Sequence, residues 1–175
     1  NQFFKDATSK KRMVGVYGEF RASYKSLAYL TVTGRNDWSS TLPVENRSYF
    51  YPSVSGSFVV TELFEEKSDI LSYAKVRGSW AKVGKDANPY ATLTYLVNPL
   101  TYIGGYTGVG NSYTKGNAYL LPEIQKAWEV GLEMRFFNNR LGFDWTYYKC
   151  ETENQIASPR LSNANGSILS SINSG

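Results

Sequence analysis

Three carboxylates and an arginine in this 175-residue sequence lie close enough to do chemistry together: Glu129, Glu133 and Arg135 on one stretch, and Asp144 just past the Asn138-Asn139 pair. Two carboxylates flanking a glycosidic bond, about 5 Å or roughly 6.5–9.5 Å apart, would make a glycosidase. On strands facing water, the same residues would form a charge-paired wall, with Arg135 neutralising Glu133 or Asp144 across a hairpin. The wall is the reading adopted. Other chemistry is narrowed by absences. With no histidine and a single cysteine, Cys150, there is no Ser-His-Asp triad, no Cys-His pair, no His-ligated zinc and no internal disulfide. Gly104-Gly105 with Gly108 and Gly110 imitates a phosphate loop, but it lacks the strand-then-helix context and the following Lys-Ser/Thr. It reads as an ordinary loop. Tyr102, Tyr106, Tyr113 and Tyr119 in that segment would stack on sugar rings, contact a peptide, or pack the loop onto its neighbours or a partner lid. No catalytic residue, metal ligand or cofactor site is expected.

The elements that must carry these residues are strands. Trp128, Val130, Leu132, Met134 and Phe136 take one parity, and Glu129, Gly131, Glu133 and Arg135 the other. Successive strand side chains point to opposite faces, so this run has one oily and one charged face. Five further runs alternate likewise, at about Arg12–Tyr24, from Ala28 to Arg35, and at about Tyr49–Val60, Tyr73–Val83 and Arg140–Glu151. Lys25-Ser26 and Asn138-Asn139 make tight turns. Polar loops are expected at about 36–48, 84–124 and 152–167. Pro52 belongs at a strand start or a bulge, since mid-sheet it would forfeit a ladder bond. Thr61 would cap a helical turn through Glu62 to Lys67. Tyr90–Val97 would pair as a loop hairpin, and a fresh strand would begin near Ile168. The short and long connections alternate, which in an outer-membrane barrel puts tight turns on the periplasmic side and long loops outside.

Composition bounds the rest. Aromatic content is 15%, with 14 Tyr, 9 Phe and 4 Trp. Tyr and Trp suit a membrane–water interface, and Trp80, Trp128 and Trp145 fall on the apolar parity as girdle or lipid contacts. Composition by itself favours an aromatic-rich soluble β-sandwich or carbohydrate-binding module. The net charge of +4 is modest and unclustered, so no nucleic-acid footprint is expected. No run approaches the ~18 apolar residues of a membrane helix, a signal that barrel strands never give. Starting at Asn1, the sequence reads as a mature or truncated product.

Several segments, in order, resemble the SusC/RagA family of TonB-dependent outer-membrane transporters of Bacteroidetes. Tyr51-Pro52-Ser53-Val54-Ser55, followed by Phe58, Glu62 and Phe64, is similar to the family's Phe-Pro-Ser segment and the Glu-x-Phe after it. Lys75-Val76-Arg77-Gly78-Ser79-Trp80 with Gly84 resembles its Lys-x-Arg-x-Ser-Tyr-Gly strand. Pro122-Glu123 with Trp128-Glu129-Val130-Gly131 resembles its Trp-Glu strand. Asn138-Asn139-Arg140-Leu141 and Tyr147-Tyr148-Lys149 resemble the hairpin and strand end that follow. Arg35-Asn36-Asp37-Trp38-Ser39-Ser40 resembles an Arg-x-Asp-Gly-Ser-Ser segment, with Trp38 in the usual glycine's place.

The resemblance implies an all-β, antiparallel up-and-down transmembrane barrel segment with long extracellular loops. It would supply about six strands of a 22-stranded barrel, from its C-terminal half, without the plug domain. It implies energised uptake of oligosaccharides or oligopeptides. The implied partners are a SusD-like surface lipoprotein as lid, TonB acting through the plug, and outer-membrane lipid. Two other architectures stay open. A small self-contained barrel of the porin or adhesin type would need the segments near Tyr90–Val97 and Ile168–Ile172 to close the sheet. A soluble β-sandwich sugar-binding module would bury the Trp128–Phe136 face under a second sheet.

Overall fold

A computed structural model describes residues 8–64, 70–97, 102–103, 106–107, 109–162, 164 and 166–175. Six long strands form one antiparallel meander in chain order: β1 (Met13–Tyr24), β2 (Ala28–Ser39), β3 (Ser48–Val59), β4 (Leu71–Lys85), β5 (Glu123–Phe136) and β6 (Leu141–Glu153). The register puts apolar residues in rows across one face. Phe20 lies opposite Val32, Val32 opposite Val54, Val54 opposite Trp80 and Trp80 opposite Trp128. Leu132 then faces Trp145, and Met134 faces Phe143.

That face is bare. Phe20 is 63% exposed, Val130 41% and Phe143 48%, and Leu132 is half-exposed. The Trp128–Phe136 stripe runs about 26 Å along the strand at about 3.3 Å per residue. At a strand tilt of about 40° that length spans about 20 Å along the membrane normal, most of the ~25 Å apolar band of an outer-membrane barrel. Charge resumes where the stripe ends, at Lys126, which pairs with Glu153, and at Lys149, which pairs with Glu151. No second sheet covers the stripe among the described residues, which rules out the sandwich.

Both tight turns are as expected and need left-handed backbone. Lys25 and Ser26 take φ of 47° and 56°, and the Leu27 N–H donates to the Tyr24 carbonyl at 2.8 Å. At the other turn Phe137, Asn138 and Asn139 all have positive φ, so β5 ends at Phe136, where the alternation ends.

Several expectations change. The polar loop does not begin at Asn36: β2 continues to Ser39 because β1 runs beside it as far as Met13, and Trp38 sits inside the ladder opposite Val14 and Ser48. Pro52 lies inside β3, but the ladder to β4 begins only at Ser53, so the proline sits just beyond the doubly paired part of the strand. Thr61 caps nothing. The segment Val60–Leu63 is a 3₁₀ turn without a side-chain cap, and Thr61 Oγ1 accepts the Ala74 N–H at 3.4 Å. The rest of the expected helical turn, 65–67, lies outside the described residues.

Of the expected Tyr90–Val97 hairpin only Leu96–Val97 pair, with Gly110–Asn111, while Tyr90, at φ 65°, sits in a reversal. Near Ile168, Leu169–Ser170 pair in parallel with Thr114–Lys115, and Ile172–Ser174 pair with Gln155–Ala157. None of these joins the main sheet. Among the described residues the sheet therefore has six strands and two free edges, and the self-contained barrel does not close.

Candidate transport surface of the wall and rim

The inward face carries the polar parity of each strand. Arg77 on β4 reaches across β5 to β6: Nη2 donates to Thr146 Oγ1 at 2.8 Å and to Asp144 Oδ1 at 3.3 Å. It crosses at Gly131, where a Cβ would lie 2.4 Å from Arg77 Nε, so glycine opens the path. Glu129 approaches the same guanidinium at 3.9 Å. Arg135 binds Glu133 at 2.9 Å, along its own strand and not across the hairpin. Each expected wall carboxylate thus has a cation beside it, as in a hydrated lining of facing opposite charges. Hydroxyls fill the space between, as where Thr33 and Ser53 meet at 2.6 Å. A shallow groove of about 220 Å³ runs past Tyr29, Thr31, Ser55, Ser57, Lys75 and Ser79. Cys150 is exposed on this face and takes a hydrogen bond from Gln125 Nε2.

The β2–β3 loop, the β4–β5 loop and the segment after β6 leave the same end of the sheet, and there the chain builds what the sequence did not announce. Asp37, on the inward parity of the extended β2, is 3% exposed. It accepts from Arg35 Nε at 2.8 Å and from Tyr51 OH at 2.5 Å. Asp86, just past β4, accepts from Lys11 Nζ at 2.8 Å, Ser39 Oγ at 2.5 Å and Thr41 Oγ1 at 3.1 Å. Burial pushes the Asp86 carboxyl up, but the hydrogen bonds from Lys11, Ser39 and Thr41 outweigh it and hold the group below its ordinary value. Beside these acids Leu42, Tyr49, Ala87 and Leu120 form a buried apolar cluster, with Tyr51, Ala91 and Ile156 against it. The continued alternation Arg35, Asp37, Ser39 was the available signal for the β2 extension. Nothing local pointed to Asp86.

Of the four loop tyrosines, Tyr113 is 73% exposed and Tyr119 81%. Tyr102–Ile103 pair antiparallel with Tyr106–Thr107, Tyr102 opposite Thr107 and Ile103 opposite Tyr106. Gly104, Gly105 and Gly108 lie outside the described residues. Tyr90 and Tyr95, expected only as part of a loop hairpin, line a groove of about 260 Å³ with Asn88, Leu93, Thr114 and Ser158, and among the described residues no charged side chain borders it. On the outward face Trp128 packs on Tyr147 at 5.3 Å, and Tyr147 stacks on Trp145 at 6.5 Å.

A sheet that is oily on one face, wet and charge-paired on the other, and looped at one end is wall from a transmembrane β-barrel. The chain belongs to the family described as TonB dependent receptor-like, beta-barrel, whose model matches residues 1–175. It is thus a segment of an outer-membrane receptor barrel. TonB-dependent receptor P26 of Formosa agariphila is 28% identical over 148 residues, covering 83% of this chain and 15% of that protein. TonB-dependent receptor P3 of the same organism is 28% identical over 151 residues, covering 85% and 15%. The RagAB peptide transporter superposes with a TM-score of 0.83 at 25% identity, covering 93% of this chain and 18% of that one. The siderophore receptor PirA from Pseudomonas aeruginosa shares the fold, with a TM-score of 0.63 at 20% identity over 94% of this chain and 29% of its own. This chain spans less than a fifth of the length of the curated relatives it matches.

Proposed function

We propose that this chain supplies wall and extracellular rim, from the C-terminal half of the barrel, to a SusC/RagA-like importer that takes up oligosaccharides or oligopeptides with energy from TonB. The observation that carries this reading is the pairing of a bare apolar belt with a charge-paired inner face. The likeness to RagAB over 93% of the chain adds to it and, between the two cargo classes, favours oligopeptides. The plug and the TonB contact belong to other parts of the full-length receptor. A SusD-like lipoprotein would sit over the loops at 40–47 and 86–122. Tyr113 and Tyr119, together with Tyr102 and Tyr106, contact cargo or that lid.

The test is uptake of labelled oligopeptides and oligosaccharides by cells with and without the full-length receptor. Loss of uptake of one class in the deletion strain, and equally in a strain lacking TonB, is the expected result. Uptake that persists without TonB, as through a passive pore, would sink the proposal. Tyr113→Ala and Tyr119→Ala should each weaken cargo or lid binding by about 2–10-fold, the range of one aromatic contact, measured as half-saturating cargo concentration or lid retention on the purified receptor.

A further inference from the structure

We propose that residues 86–97 and 109–122 of the β4–β5 loop and residues 154–162 and 166–174 after β6 form one body that swings on a split between β3 and β4, with Asp86 as the latch that positions it. Three observations carry this. First, the β3–β4 backbone ladder stops at Ser53 opposite Ala81, although β3 begins at Ser48 and β4 continues to Lys85. Above that point side chains hold the two strands together. The Tyr49 ring lies against Gly84, where a Cβ would sit 2.4 Å from it.

Second, Asp86 gathers donors from two separate stretches on the far side of the split: Lys11 ahead of β1, and Ser39 and Thr41 at the end of β2. Its side chain is 8% exposed, so a loss of these donors would strand a charge with little water. The apolar seal spans the same split, with Leu42 and Tyr49 on one side and Ala87 and Leu120 on the other. The remaining ties across it are weak, such as Asn46 Nδ2 to the Leu120 carbonyl at 3.4 Å and the Lys10 N–H to Tyr90 OH at 3.3 Å.

Third, the loop and the tail are tied to each other through main chain. The Asn173 amide binds both the N–H and the carbonyl of Leu121, each at 2.9 Å, and the Asn154 carbonyl at 2.8 Å. Ser171 N–H donates to the Lys115 carbonyl at 3.0 Å, and the Ile168 and Leu169 N–H groups both donate to the Tyr113 carbonyl at 2.9 Å. The exposed Tyr113 and the Tyr90–Tyr95 groove therefore travel together. Asp86 is a positioning residue: it fixes where these surfaces sit over the barrel mouth. The motion stands without the importer reading, and only its consequence for cargo rests on that reading.

The test is hydrogen exchange on the full-length receptor in detergent, comparing the native protein with Asp86→Ala, Gly84→Ala and Asp86→Glu. Loss of a charge-assisted latch predicts about tenfold or faster exchange in Asp86→Ala. The increase should appear together in 86–97, 109–122 and 155–174, with the paired parts of β2, β5 and β6 unchanged. Gly84→Ala, which wedges the split at the Tyr49 ring, should give the same pattern, and Asp86→Glu should restore much of the protection. Faster exchange confined to the immediate neighbours of residue 86, loop and tail responding independently, or uniform loosening of all six strands would each overturn the proposal. If the exchange pattern holds and uptake is unaffected by any of these changes, the swinging body stands and only its consequence for cargo fails; the importer reading fails separately, if the native receptor shows no TonB-dependent uptake.

Discussion

Asp37 and Asp86 are both nearly buried at the rim, yet they are held differently: Asp37 by neighbours on its own and the adjoining strand, Asp86 by groups from distant stretches. Asp86 therefore gives the loop a pH dependence whose sign follows from its depressed carboxyl. The stabilisation is complete above the ordinary carboxylate value of 3.8 and is lost as pH falls through the lower folded-state value. Asp37, in the same cluster, is held by Arg35 and Tyr51, and Lys11 is the cation facing Asp86. Spin labels placed through Val44→Cys and Leu93→Cys, one on each side of the β3–β4 split in the full-length receptor, should give a narrow distance distribution at neutral pH that broadens well below pH 3.8. In an Asp86→Ala background the distribution should already be broad at neutral pH.

The strands were legible because each alternates over a run long enough to make chance unlikely to imitate it, and because the two tight turns mark where the chain reverses. Their ends were not legible. Asn36 to Ser39 look like loop residues by type, and only the presence of β1 alongside makes them strand. The rim latch was hidden for a related reason, since Asp86 meets Ser39 across 47 positions and Lys11 across 75. The wall carboxylates were easier in part: Arg135 lies on Glu133's own strand and Arg77 on the strand beside Glu129, but Asp144 takes Arg77 from two strands away. Alternation also predicts opposite fates for neighbouring substitutions on β5. Val130→Lys puts a charge in the lipid belt and should cost about 2–4 kcal/mol of barrel stability near the midplane. Glu129→Lys, one residue away in the wet bore, should cost about 1 kcal/mol or less. Urea unfolding of the full-length receptor in lipid vesicles would measure both. At the β1–β2 turn Ser26 holds a left-handed φ of 56°, so Ser26→Gly should stabilise the same barrel by about 0.5–1 kcal/mol.

At the scale of the molecule, the six strands make an arc. β1 and β6 each present an unpaired edge, and a sheet of this width cannot close round an aqueous bore. The outward belt was within reach of the sequence, because membrane solvation imposes one rule on every strand, whereas the family was reached through the resemblance of its motifs, taken in order. Cargo was not, because loop tyrosines serve sugars and peptides alike. The 175 residues expressed alone should therefore partition into detergent and aggregate when it is removed. A monodisperse, detergent-free monomer by light scattering would contradict the barrel-wall structure.

The uneven lengths of the connections also set an order of assembly. β1 with β2, and β5 with β6, meet across turns of a few residues, so each hairpin forms with little loss of chain entropy. The seam between β4 and β5 joins only after the whole 86–122 loop has been gathered in, at an added closure cost of about 2 kcal/mol relative to a tight turn. Insertion into the bilayer thus proceeds by hairpins, and the last join within this arc lies directly beneath the mobile rim, where Trp80 comes to rest beside Trp128.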